Sequence, residues 1–238
     1  MRVNRPPLVL KLRRFIFVVA TLSLFAFSAQ SSRAQFLHPK IQSKETTIRN
    51  VVLMPAKVNV VRDSMKGPEG MAAESDELSA RVETMIAEVL SKQKHVTTQL
   101  QPAGSGQSDS EKNYNVADFQ TKFDGLLPKI MKKRSDVKKG RFSMGDEVLN
   151  LNLVKSADAI VFIRGEGKKL TGGKTAFTLL VGGTPAYLRL QIGIVDARNG
   201  DVLVYTDPIL AGDPTTAVDR LRKALEKGLK KLPVVSAP

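Results

Sequence analysis

Residues 158–167, DAIVFIRGEG, and 186–205, AYLRLQIGIVDARNGDVLVY, carry the reading of this fold. The first is an apolar run of strand length. The second holds two β-type runs that meet at Asn199-Gly200, a dipeptide suited to the positive φ angles of a tight hairpin turn. Between them lies a Gly-rich gap. A long hairpin beside an apolar strand makes a sheet, and the rest of the chain is expected to pack around it.

Upstream, VVLMPAKVNVV (51–61) is rich in β-branched residues, and Pro55, which lacks a ladder donor, ends the strand, bulges it or marks an edge. Residues 63–71, with Gly67, Pro68 and Gly70, read as loop. Leu78, Val82, Met85, Ile86, Val89 and Leu90 recur at helical spacing, so 75–92 is a helix, with Ser75, Asp76 and Glu77 in its first turn. HVTTQLQ (95–101) reads as a short strand and the polar 102–113 as a loop. A second amphipathic helix covers 116–133 through Phe119, Phe123, Leu126, Leu127, Ile130 and Met131, kinked at Pro128. Residues 145–156 are expected to be helical and to deliver the chain into a strand at 159–164.

Downstream of that strand come a turn at Gly172-Gly173, a strand over 176–181, a turn over 182–185, and the long hairpin. The last helix starts with Asp213 as N-cap, Pro214 at the first helical position, and Thr216 with Asp219 as a capping-box-like pair. Val218, Leu221, Leu225, Leu229 and Leu232 line one face; Arg220, Lys223, Lys227, Lys230 and Lys231 line the other, and Pro233 stops the helix. This order predicts an α/β (α+β) fold, a mixed and partly antiparallel sheet with helices packed on it. One domain is expected over 50–233, preceded by a polar, extended or mobile arm at 35–49 and followed by a tail at 234–238.

Ahead of the arm, Arg2, Arg5, Lys11, Arg13 and Arg14 form a basic region before the apolar run 15–29, and Ser32 and Ala34 are small residues at the positions a signal peptidase reads. Residues 1–34 are therefore expected to be a signal peptide cleaved after about Ala34, and the product periplasmic or secreted. The apolar run, about 15 residues, is shorter than the roughly 20 of a spanning helix, so no integral membrane segment is expected after cleavage. Cleavage would leave 204 of the 238 residues. Six of the 37 Lys/Arg and none of the acids precede residue 35, which takes the net charge from +14 to about +8. A basic exported domain suits lipid headgroups, acidic cell-wall polymers or an acidic protein face. Nucleic acid is disfavoured as a partner by export, by the absence of Trp and by the 5% aromatic content. The chain has no cysteine, hence no disulfide framework, thiolate chemistry, zinc-thiolate site or cysteine for a lipid anchor.

Motifs for chemistry are sparse. Residues 165–175, GEGKKLTGGKT, end like a phosphate loop, but Lys168 stands where the first glycine of G-x-x-x-x-G-K-T belongs, and a β-type run is expected to follow instead of a helix; a flexible hairpin loop is the reading. His38 and His95 have no metal-ligand spacing and are expected to be solvated. No G-x-S-x-G elbow supports a hydrolase. Asp196 is read as closing the turn by bonding backbone amides near Asn199 and Gly200. No catalytic residue, metal ligand or cofactor is assigned. The functional candidate is the basic run 129–141, in which Lys132, Lys133, Arg134, Lys138, Lys139 and Arg141 are placed to engage an anionic surface.

VVLMP followed by an amphipathic helix, the strand ADAIVFIRG, and the hairpin 190–204 with Asp196 and Gly200 at its turn positions together resemble the exported CsgG-like α/β class. That class includes the curli secretion component and the LpoB-type activators of penicillin-binding proteins. The resemblance spans most of 50–232 and implies a CsgG-like fold, an exported address and an accessory or assembly role, with oligomer formation possible and no particular partner. Two departures stand out: the lipobox cysteine of those relatives is missing, and no pair of long alternating strands suits a membrane hairpin. Two functions follow as expectations. The first is a non-catalytic accessory protein binding a partner protein or an anionic envelope surface. The alternative is an enzyme acting on an anionic or phosphorylated envelope substrate, built around 165–175 with Asp158, Glu166 or Asp196.

Overall fold

The computed structural model describes residues 35–100, 110–146, 148, 157–216, 218–229 and 232. In chain order its elements are β1 (Phe36–Leu37), α1 (Pro39–Gln42), β2 (Asn50–Leu53), β3 (Lys57–Ser64), β4 (Gly67–Gly70), α2 (Ala72–Lys92), β5 (Val96–Gln99) and α3 (Ser110–Lys132). A 3₁₀ segment (Arg134–Lys139) follows, then β6 (Ala159–Leu170), α4 (Gly172–Val181), β7 (Tyr187–Asp196), β8 (Val202–Thr206), β9 (Ile209–Ala211) and α5 (Val218–Leu229).

Seven consecutive residues from Ala159 are buried, a pattern that a strand sustains only when both its faces are covered. The nine strands form one sheet, ordered β1-β8-β7-β6-β2-β5 along its main path. β6 pairs antiparallel with β7 along one edge, from Ala159 opposite Asp196 to Lys168 opposite Tyr187. Its other edge is shared. Ala159 to Val161 pair in parallel with β2, and Arg164 to Leu170 pair in parallel with β3. Pro55 sits in the break between those two strands, as a residue without a ladder donor must. The sheet is thus mixed, with parallel β2, β3, β5 and β6 and antiparallel β7, β8, β1, β9 and β4.

Period-two alternation along β6 sorts the core into two halves. Ala159, Val161 and Ile163 join the cluster that contains Leu78, Val82 and Ile86 of α2 and Leu221, Leu225 and Leu229 of α5. Ile160 and Phe162 join Phe119, Phe123, Leu127 and Ile130 of α3 on the opposite face. There the Phe123 and Phe162 rings stack, with centroids 4.5 Å apart. Gly193 of β7 lies directly under Phe123, and any Cβ at that position would run into the ring. The apolar faces expected for both long helices are therefore the ones that are buried.

Helix α2 also closes a backbone edge. Ser75, Ser79 and Glu83, four residues apart on one helix face, accept from the N–H groups of Val60 (2.9 Å), Val58 (2.9 Å) and Ala56 (3.1 Å). Alternate N–H groups of β3 and of Ala56 just before it are satisfied this way, which blunts an edge open to foreign strands. Burial lifts the Glu83 carboxyl above its ordinary range, with the Ala56 bond acting against that shift.

Several expectations are corrected. The stretch 35–49 is folded: β1 pairs with β8, His38 caps α1 by accepting from the Lys40 N–H, and Ile41 and Ile48 are buried. Its apolar residues are too few for a periodic signal, yet each has a place at the sheet edge. Residues 63–71 are the β3–β4 hairpin, since an edge strand tolerates the Gly and Pro read as loop. β6 continues through Leu170, and 172–181 form a helix where a turn and a strand were expected, because a short apolar run has no decisive period. The hairpin loop spans 197–201, and of Asn199 and Gly200 only Gly200 has a positive φ, 74°. Both histidines are buried. The expected signal peptide, the greater part of the loop 102–113, residues 149–156, the side chain of Asp219 and the tail 234–238 lie outside the described residues.

Two predictions follow from this packing. Gly200 combines a left-handed φ with the Gly145 backbone pressed against its Cα, so Gly200→Val is expected to lower stability by about 2 kcal/mol or more, measured by denaturant titration; an unchanged midpoint would refute the turn assignment. His95 is buried with Nδ1 2.8 Å from the Ile48 carbonyl, and burial pulls its pKa below the ordinary value despite that bond. A base with a lowered folded pKa leaves stability complete above the unfolded value. As pH falls below about 6.5 the unfolded chain takes up the proton first, and stability is lost down to the folded pKa. The Tm is therefore expected to drop between about pH 7.5 and 5.5, and to drop less in His95→Gln, which removes the titration.

Candidate functional site

The basic run leaves α3 and enters the 3₁₀ segment. Lys129 and Lys132 occupy the last turn of α3, where the helix dipole favours cations. Chain direction changes at Lys133, and Val137 then plugs into the core on the α3 side of the sheet, fully buried. With Val137 inward, Lys132, Lys133, Lys138, Lys139 and Arg141 are all exposed. Asp136 answers Lys139 at 3.5 Å and Arg141 at 3.6 Å, exposed pairs that hold little energy and are screened by salt. The Lys138 ammonium lies 5.6 Å from the centroid of the Phe36 ring, so β1 supports this corner.

Arg134 is the exception among the six candidates, because it turns inward. Its Nη2 lies 2.9 Å from Oδ2 of Asp207, and Nη2 of Arg189 lies 3.3 Å from the same oxygen. Asp207 is fully buried, just beyond the end of β8. One carboxylate thus ties the 3₁₀ segment to β7 and holds the corner against the sheet. Oδ1 of Asp207 and the Nε atoms of both arginines have no hydrogen-bond partner among the described protein atoms. Burial, reinforced by the Asp207 charge, pushes the nearby Tyr205 phenol up to about 12.

A shallow cleft of about 280 Å³ opens beside Asp124 and Leu127 of α3 and is lined further by Lys57, Asn59, Arg164, Glu166 and Gln191. Arg164 is held there by Asp124 of α3, with Nη2 3.2 Å from Oδ2, and donates to its neighbour's carbonyl, Ile163 O, at 2.9 Å. Sequence reasoning gave no sign of this pair or of the Arg134–Asp207–Arg189 bridge, since each partner comes from a different element.

The acids named for the enzyme alternative do not converge. Asp158 accepts from the Arg49 and Asn50 N–H groups at 2.9 Å and so fixes the start of β2. Asp196 accepts from the backbone N–H and guanidinium of Arg198 at 2.9, 3.0 and 3.1 Å through its carboxylate and from the Gly200 N–H at 2.9 Å through its main-chain carbonyl, so it orders the turn by bonding backbone amides and adds the Arg198 guanidinium. Glu166 pairs with Arg189 at 3.4 Å, some 20 Å along β6 from that end of the sheet at the usual strand rise. The 165–175 segment does lead into a helix, contrary to expectation. Thr171 alone joins β6 to α4, however, and Lys168 is a strand residue opposite Tyr187, so no loop encircles a phosphate there. Lys168 and Lys174 share Asp63 at 2.9 and 3.6 Å, and the Lys168 bond chiefly lowers the Asp63 pKa. Among the described residues no group of three or more His, Asp or Glu is placed to hold a metal ion, and no helix is long and apolar enough to cross a membrane.

No family model matches the chain, and no curated protein matches its sequence. Solved structures with a similar course of the chain include the PelC dodecamer from Paraburkholderia phytofirmans, 11% identical over 80% of this chain and 90% of that one, with a TM-score of 0.37. The lipoprotein GNA1162 from Neisseria meningitidis is 12% identical over 76% of this chain and 96% of its own, with a TM-score of 0.33. A homologue of neuraminyllactose-binding hemagglutinin from Helicobacter pylori is 9% identical over 76% and 82%, with a TM-score of 0.31. Likeness at this level assigns neither a family nor a ligand.

Proposed function

We propose that this chain is a non-catalytic, exported accessory or assembly protein of the cell envelope, of CsgG-like type, which binds an anionic envelope surface or the acidic face of a partner protein. One observation carries the reading: the cations of the basic run are displayed on a corner that is fixed in place. Val137 in the core and the Arg134–Asp207–Arg189 bridge hold the segment from below, while Lys132, Lys133, Lys138, Lys139 and Arg141 remain outside. A solubility device needs charge but not a held geometry. Cations on a rigid support meet an anionic surface without losing the freedom of a mobile tail, which favours binding.

Two measurements test this. Combined Lys132→Glu, Lys133→Glu, Lys138→Glu and Lys139→Glu is expected to weaken sedimentation with isolated envelopes about tenfold or more and to flatten its salt dependence, with little change in Tm. Binding that ignores both salt and charge reversal would refute the role of the corner. Asp207→Ala, which takes from the half-buried Arg134 guanidinium its carboxylate partner, is expected to lower stability by about 2 kcal/mol and to expose 134–141 to limited proteolysis.

A further inference from the structure

Helix α4 carries a concentrated apolar surface. Phe177, Leu180 and Val181 are 46%, 85% and 59% exposed, and their i, i+3, i+4 spacing puts them on one face. The helix is seated by buried Thr178 and tied to β3 by Lys174, 3.6 Å from Asp63. From Gly167 to Val195 the sequence contains no Asp or Glu, but it contains Lys168, Lys169, Lys174 and Arg189. Lys169 pairs with Asp213 and Arg189 with Glu166 and Asp207, whereas Lys168 and Lys174 share the single carboxylate of Asp63, which leaves the base of the helix positive. An apolar face with a net positive base is costly in water and has its complement in the headgroup layer of an anionic bilayer.

We propose that α4 is a lipid-docking helix: it lies in the plane of an anionic membrane surface, with Phe177, Leu180 and Val181 in the acyl boundary and the lysines at its base among the headgroups. Ten residues span about 15 Å, so the helix lies on the bilayer and does not cross it. A second copy of the chain is the poorer occupant. A two-fold contact on this face would set the surplus positive charge of Lys168 and Lys174 near its own counterpart, with one Asp63 in each copy to answer both lysines. Docking through α4 does not depend on the basic corner.

The chain contains no Trp, so Leu180→Trp reports on this helix alone, and Val96→Trp, at an exposed site on β5, serves as control. The protein is used as isolated from cells, all variants sharing one N-terminus. Vesicles of equal phosphatidylglycerol and phosphatidylcholine are expected to shift the residue-180 emission to the blue and to quench it when the lipid chains are brominated. Phosphatidylcholine alone is expected to have little effect, and residue 96 is expected not to respond. Combined Phe177→Ser, Leu180→Ser and Val181→Ser should weaken partition about tenfold, with an unchanged Tm. No shift at 180, an equal shift at 96, or retained partition in the serine variant would overturn the proposal. So would a vesicle-independent shift that grows with protein concentration and accompanies dimer formation, because the occupant would then be a second copy.

Discussion

β6 imposes the central constraint, since a strand buried on both faces and paired on both edges must have every neighbour supplied from elsewhere in the chain. β7 takes one edge over ten residues. The other edge is longer than β2 can cover, and the chain meets it with two strands in line, β2 and β3, separated by Pro55. Alternation then forces helices onto both faces, α2 and α5 on one and α3 on the other. The remaining elements occupy positions left by this arrangement.

Supplying β6 with β3 creates a further need, because β3 has its own outward edge. Helix α2 meets it with Ser75, Ser79 and Glu83, whose oxygens replace the missing strand's acceptors. The same helix buries Leu78, Val82 and Ile86, so one element serves both the apolar core and the backbone. Helix α3 covers less of its face. Beside Asp124 and Leu127 the floor changes from Phe162 to Arg164 and Glu166, and the cleft begins at that boundary.

The two surfaces to which binding is assigned here both arise at the margins of this core. The basic corner is held by Asp207, a buried carboxylate between two guanidinium groups. Removal of either arginine leaves Asp207 the other, while removal of Asp207 frees Arg134, so the bridge specifies where the 3₁₀ segment sits more than it adds stability. α4 differs in kind. It is an insertion between two paired strands, anchored by Lys174 and the buried Thr178, with Phe177, Leu180 and Val181 open to solvent.

Local chemistry made much of the fold legible in the sequence. Helices at Leu78 to Leu90 and Phe119 to Ile130 follow from apolar spacing alone, the break at Pro55 from a missing N–H, and the mixed sheet from the order of elements. Asp196 and Gly200 were recognisable as turn residues because their roles are local, Asp196 accepting from the Arg198 and Gly200 N–H groups. Legibility failed where the deciding partner is distant. Phe36 and Ile48 give no period, and only the β8 edge and the core assign them places. Residues 176–181 carry equal signal for strand and helix, and α4 became a helix because β6 and β7 pair directly and leave it no edge. In the basic run, composition marked six cations alike. Only tertiary structure separated Arg134 from the rest, by placing beneath it a buried carboxylate from the end of β8, where a charge cannot remain unpaired.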